Sequence, residues 1–178
     1  LDRQGVTCDV CHRSIGRPDG GGPVIGNAQI YFQPDNVRYG PYPDIMSPAH
    51  QGTDGGVVAS SEVCGHCHQV ENPLVPWRDP NDGGVLGPAF PLDTTYDEWK
   101  QSSWGGNDGG AVTRCQDCHM PRMLFPDGGP MELFVAKFGV LRQAPRRHSL
   151  VGGNLWGLSA VELNDPAHTA PLAEQFAE

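Results

Sequence analysis

The sequence predicts a mostly irregular fold with a few short α-helices, and three observations predict it. Glycine (24) and proline (17) punctuate the 178 residues densely, and both interrupt regular elements. Hydrophobic residues make up only 38% of the chain, thin for the core of one compact unit of this length. All six cysteines fall in three copies of one motif: Cys8-Asp9-Val10-Cys11-His12, Cys64-Gly65-His66-Cys67-His68 and Cys115-Gln116-Asp117-Cys118-His119. This spacing attaches haem covalently: each thiol adds to one vinyl group, and the following His stands under the iron as an axial ligand. The expected architecture is therefore a small trihaem cytochrome c module packed around its haems. It is read as a single domain over residues 1–178, with 155–178 as a tail. Three large apolar cofactors replace the missing side-chain core, and no stable fold is expected without them.

Two other uses of cysteine fit the pattern less well. Three disulfides in a secreted domain do not require a His after every second Cys. A four-Cys zinc site accounts for two of the pairs and leaves the third pair and the repeated His unexplained.

The elements follow in chain order. From Pro18 to Pro48 the chain is rich in Gly, Pro and Asn. It reads as loop, with at most short extended pieces around Val24–Ile25 and Gln29–Phe32. Ser60 and Ser61 can cap a helix that begins near Glu62 and carries the second motif. Asn72 to Pro91 is again loop, with a turn at Asn81-Asp82-Gly83-Gly84. Thr94 or Thr95 opens the best helix of the chain, whose first turn carries Asp97 and Glu98 where the helix dipole favours them. Met131 to Gln143 reads as a strand or a short helix. Ser159 to Leu163 and Pro171 to Ala177 read as helical turns. The motif intervals, Cys8 to Cys64 and Cys64 to Cys115, are nearly regular, yet the intervening sequences do not resemble one another, so no internal repeat is assigned.

Seven histidines are present. His12, His68 and His119 are the proximal ligands by motif. His50, His66, His148 and His168 remain for the opposite faces of three irons. His50, in Ser47-Pro48-Ala49-His50, sits in a proline-stiffened loop suited to a fixed ligand. His148 follows Arg146-Arg147, which can pair with haem propionates, and precedes glycines that let backbone approach a haem closely. His66 lies between two cysteines and can only face a neighbouring haem. His168 lies near the C-terminus. Met46, Met120, Met123 and Met131 are weaker donors, and Met120 is on the proximal side of its own haem. The tryptophans Trp77, Trp99, Trp104 and Trp156 are expected to pack on haem faces or fill corners.

The formal charge of −9 disfavours nucleic acid and anionic membrane surfaces as partners and suits a basic redox protein. No stretch approaches the roughly 18 apolar residues of a membrane span. Haem c is attached outside the cytoplasm, so a periplasmic or extracellular location is expected, with the targeting segment outside this sequence. The chain opens almost directly on a motif, which reads as a processed or incomplete start.

Four pieces carry a family resemblance. They are Gly5-Val6-Thr7 with the first motif, Tyr39-Gly40-Pro41 through His50, and Ser60-Ser61-Glu62-Val63 with the second. The fourth runs from Thr94-Thr95-Tyr96-Asp97-Glu98-Trp99 to Cys118-His119-Met120-Pro121, with His148-Ser149-Leu150-Val151-Gly152-Gly153-Asn154 beyond. The chain resembles the multihaem cytochrome c family that includes the tetrahaem cytochrome of ammonia oxidation. The resemblance implies closely stacked, bis-histidine haems and supports His50 and His148 as ligands. The chain departs from the family's pattern in having neither further upstream motifs nor a continuation past Gly-Gly-Asn into another part, which leaves three sources for the third distal ligand: missing sequence, a neighbouring subunit, or none.

Electron transfer through three c-type haems is the expected function, because irons with His on both faces leave no site for substrate. Two neutral imidazoles and acidic surroundings lower the expected potentials. A non-enzymatic carrier is the leading reading. The alternatives are an oxidoreductase of small nitrogen or sulfur compounds with one five-coordinate haem, using groups such as His66, His168, Arg122 and Arg142, or a conducting subunit of a homo-oligomer or larger redox complex.

Overall fold

The computed structural model describes residues 7–45, 47–135, 139–148 and 150. The chain divides into two compact units: Leu1–Cys115 with Phe134–Val140, and Gln116–Leu133 with Leu141–Glu178. Among the described residues, helices are one or two turns long and the strands form five two-stranded sheets. The rest is irregular.

In the first unit, α1 (Cys8–His12) is a single turn that follows the extended Thr7. Asp9 in this turn suits the positive end of the helix and accepts two hydrogen bonds from the Arg38 guanidinium, at 2.7 and 3.0 Å. β1 (Ser14–Ile15) pairs antiparallel with β2 (Tyr31–Phe32). β3 (Val37–Gly40), which carries Arg38, pairs with β4 (Gln51–Asp54) in parallel, from Val37↔Gln51 to Gly40↔Asp54. Parallel neighbours need a crossover rather than a hairpin, and the crossover here is the loop that ends in His50.

A 3₁₀ turn at Val57–Ala59 leads into α2 (Glu62–Gly65). β5 (Val70–Asn72) pairs antiparallel with β8 (Phe90–Asp93), and the hairpin of β6 (Trp77–Arg78) and β7 (Val85–Gly87) lies between them in sequence. α3 (Thr95–Gln101) follows, then a 3₁₀ turn at Ser103–Gly105. α4 (Cys115–His119) carries the third motif. β9 (Glu132–Phe134) and β10 (Leu141–Gln143) pair, and within the second unit Gln143 Nε2 donates to Glu132 Oε1 at 3.0 Å.

β3, β6 and β7 stand where the sequence reads as loop, and β5 and β8 reach into the same loop stretch at Asn72 and at Phe90–Pro91. Of the two extended pieces expected before them, the one around Gln29–Phe32 is β2, whereas Val24–Ile25 forms no strand. Met131 to Gln143 resolves into two strands, with 136–138 outside the described residues. The helical turns expected at 159–163 and 171–177, Met46, and the tail 155–178 also lie outside them.

Order in the irregular stretches comes from a recurring Asp-Gly-Gly turn. At Asp19, Asp82, Asp108 and Asp127 the carboxylate accepts the N–H of the second glycine, at 2.7 to 3.0 Å. The first glycine of each takes a positive φ, which only glycine adopts freely. The interior is not a side-chain core. Among the described residues the buried hydrophobics are Val57, Tyr96 and Ala144, outnumbered by buried Ser14, Ser61, His66, Gln69 and Gln116.

Candidate haem sites

The first motif is held from its histidine. His12 Nδ1 lies 2.6 Å from the backbone carbonyl of Tyr39. A carbonyl only accepts, so Nδ1 carries the proton, and that tautomer leaves Nε2 as the nitrogen with a lone pair for a metal. Tyr39 belongs to β3, and β3 is pinned to α1 by the Arg38–Asp9 pair.

The second motif is gripped by backbone. Gly26 N–H donates to the Gly65 carbonyl at 3.0 Å, Ala28 N–H to His66 at 2.7 Å, and Asn27 N–H to Gln69 at 2.8 Å. Tyr96 of α3 packs on Gly65 so closely that a Cβ there would meet the ring at 2.6 Å. His68 is 64% exposed, and its Nδ1 lies 3.5 Å from Asp93 Oδ2. The Thr95 backbone N–H, then the Thr95 hydroxyl and His68, hold the Asp93 carboxyl below the usual carboxylate range.

His66 has a different setting. It is 1% exposed, its Nδ1 lies 2.5 Å from the Val24 carbonyl, and Ser14 Oγ lies 3.1 Å from its Nε2. Nδ1 donates to the carbonyl, and Nε2 accepts from the Ser14 hydroxyl. Both ring nitrogens therefore have protein partners and neither is presented to an iron. Replacing His66 by Ala is expected to strand the Ser14 hydroxyl and Val24 carbonyl and open a cavity, at about 2–4 kcal/mol. The number of low-spin haems should not change. Denaturant unfolding and paramagnetic resonance of the same matured sample check both halves.

The third motif begins at Cys115, whose N–H donates to Ser61 Oγ at 3.1 Å. Ser61 thus precedes α2 but makes no side-chain cap to it. In the second unit, Arg146 donates to the carbonyls of Gln116 (2.5 Å) and Met120 (3.0 Å) and to the Asp117 carboxylate. These bonds clamp the end of α4, where basic groups suit the helix dipole. Arg146 is therefore engaged by the motif helix and not held ready for a propionate. His119 and His148 are both exposed.

Several cysteine thiols of the first unit lie within electrostatic reach of one another. Cys64 hydrogen-bonds Cys115, and that bond, burial and the nearby Cys11 and Cys67 push its thiol pKa up. Burial raises Cys11 too, with Cys67 and Cys8 adding to it. No disulfide joins any of the six cysteines. Among the described residues no three of His, Cys, Asp and Glu form a metal-holding group. A haem iron takes at most two protein donors, one from each face of the ring, so it requires no such group.

His50 stands at the mouth of β4 with Nδ1 3.1 Å from the Gln51 carbonyl. Its Nε2 has no partner among the described residues, the same presentation as a ligating His. It lines an open cavity of about 850 Å³ with Ile45, Pro48, Ala49 and Gly52. The chemistry of this donor set fits haem c: paired thiols one helical turn apart, each followed by a His, with two of the three proximal Nδ1 atoms facing acceptors. His168 and most of the segment after His148 lie outside the described residues.

Sequence reasoning missed Tyr39, Ser14, Val24 and Asp93 as supporting residues. Three of them act through a main-chain carbonyl or a serine hydroxyl and leave no motif. Asp93 stands just before the Thr94-Thr95 helix start, where a carboxylate reads only as a cap. Comparison with protein-family models, curated proteins and solved structures returns no match. Among the described residues no helix is long and apolar enough to cross a membrane.

Proposed function

We propose that the chain binds three haems c covalently and passes single electrons between redox proteins outside the cytoplasm, as a member of the multihaem cytochrome c family. The observation that carries this reading is the three Cys-x-x-Cys-His motifs, which use all six cysteines and each begin on a short helix. The electrostatic nearness of the Cys11, Cys64, Cys67 and Cys115 thiols supports haems close enough to exchange electrons.

In this reading Cys8, Cys11, Cys64, Cys67, Cys115 and Cys118 hold the three porphyrins, and His12, His68 and His119 hold the irons from the proximal side. His50 and His148 are the distal donors. His66 is a structural residue. The third distal donor is His168 or a residue of a neighbouring chain. Bound haem supplies a one-electron iron couple. The protein supplies orientation through the Nδ1 partners, and its charge of −9 steers a basic partner.

A subunit of a larger cytochrome assembly is the second reading. It is favoured by apolar side chains exposed around the β6–β7 hairpin, Leu74 (89%), Val85 and Leu92, which a neighbouring chain would cover.

Carbon monoxide binding to the reduced protein tests the carrier reading. Saturated irons resist the ligand, and His50→Gly or His148→Gly should each open one high-spin, carbon monoxide-binding haem. Both variants keeping the parent spectrum would remove these ligand assignments. Rapid binding by the parent together with turnover of nitrite or hydroxylamine would replace the carrier by an enzyme.

A further inference from the structure

We propose that Asp93 is a positioning residue for the second haem. Its carboxylate faces the Nδ1 proton of His68, increases the electron donation of that ligand and makes the haem on Cys64 and Cys67 harder to reduce than the haem on Cys8 and Cys11. The proposal rests on the haem reading above and goes beyond it by ranking two of the haems.

The contrast between the two proximal histidines carries the inference. His12 gives its Nδ1 proton to a neutral carbonyl, that of Tyr39, at 2.6 Å. His68 Nδ1 faces a carboxylate, Asp93 Oδ2, at 3.5 Å. At that separation the pair is a charge contact more than a hydrogen bond. A ring with Nε2 on iron carries its proton on Nδ1, and Asp93 is the acceptor facing it. A carboxylate partner raises the basicity of a ligating imidazole more than a carbonyl does, which stabilises the ferric over the ferrous state. The added negative charge acts in the same direction.

The carboxylate is placed by the fold and does not wander. Asp93 ends β8 opposite Val70, two residues past His68. Tyr96 N–H donates to the His68 carbonyl at 2.8 Å, closing the other side. Asp93 Oδ1 accepts the Thr95 N–H at 3.0 Å. One oxygen is thereby fixed by the start of α3 while the other is turned to the histidine.

Asp93→Asn separates charge from structure, because an asparagine oxygen can still accept the Thr95 N–H. Asp93→Ser is a second neutral variant that retains a helix-starting side chain. Matured protein would be titrated electrochemically. The second haem would be identified in the paramagnetic NMR spectrum of the oxidised protein by its contacts to Cys64 and Cys67. Both variants are expected to raise its reduction equilibrium about tenfold, which is ~59 mV for one electron, and to move its hyperfine-shifted His68 signals. The haem on Cys8 and Cys11 should move much less. Asp82→Asn, the same charge change in the Asx turn of the β6–β7 hairpin, should leave the ranking unchanged. A second haem still attached and low-spin, with an equilibrium within twofold of the parent in both variants, overturns the proposal. So does an equal shift of every haem that Asp82→Asn reproduces. Absence of haem from the parent overturns the reading beneath it as well.

Discussion

Produced without haem attachment, the chain is expected to be largely unfolded. In the first unit the buried hydrophobics among the described residues are Val57 and Tyr96. Full burial of one such side chain contributes about 1.5–3 kcal/mol. Ordering the backbone costs about 1–2 kcal/mol per residue. Two-residue strands and single-turn helices cannot close that gap, since short helices and isolated hairpins are marginal in water. Meanwhile Tyr31, Phe32, Trp77, Phe90 and Trp104 are exposed, and haem faces are the surfaces they would cover. Circular dichroism and amide exchange of a variant with all six cysteines replaced by Ala should show little cooperative structure. The matured protein should unfold in a sharp transition that reports its haems. A cooperative transition of similar midpoint in the haem-free chain would mean that side chains suffice for the fold.

Gly56→Ala is expected to be among the most damaging single substitutions outside the motifs. Gly56 has φ 67° and ψ −178°, a conformation essentially restricted to glycine and costing other residues about 1–3 kcal/mol. A Cβ there would also stand 2.7 Å from Cγ and 2.9 Å from Cβ of Tyr39. Overpacking of this kind adds about 1–3 kcal/mol, for about 2–6 kcal/mol in all. The damage should not stay local, because the carbonyl of Tyr39 holds His12. The haem of the first motif is therefore expected to change its spectrum while the others do not. Gly55→Ala is the internal control: its φ is also positive, at 95°, but nothing lies within 4 Å of its Cβ. It should carry the strain without the clash and leave His12 in place. Denaturant unfolding of the two matured variants, read beside the haem spectra, separates the contributions.

The fold around the motifs was legible in part: the helix that carries Cys64 was expected from the chain, whereas the single turns at Cys8 and Cys115 were not. Ser60-Ser61 and Thr94-Thr95 located the starts of α2 and α3 through ordinary N-terminal preferences. Asn81 to Gly84 was readable as the turn that joins β6 to β7. Apart from β2 and the Met131–Gln143 stretch, the strands were not readable, for a physical reason. Elements of two to four residues with mixed burial are too short to show a period. The parallel β3–β4 pair lies among glycines and prolines that argue for loop on local grounds, and it is held instead by a crossover and by the Arg38–Asp9 contact. His66 shows the same limit at the site. Its position between two cysteines raised it as a ligand, but whether its nitrogens are spoken for depends on Ser14 and Val24, far away in sequence. The surroundings of His68 depend on Asp93 in the same way. Residue types carry the proposal of a cofactor, whereas the partners of the motif histidines emerge only when loops come together.

The central claim is that all three motifs carry haem, and intact mass under denaturing conditions tests it most directly. Matured protein should exceed the apoprotein by three haems, with no cysteine open to alkylation and a pyridine haemochrome typical of two thioether links. A Cys118→Ala variant should retain two haems with full linkage and show weakened attachment at the third. A fully matured parent that carries fewer than three haems, or one that leaves any of the six thiols reactive, would contradict the account.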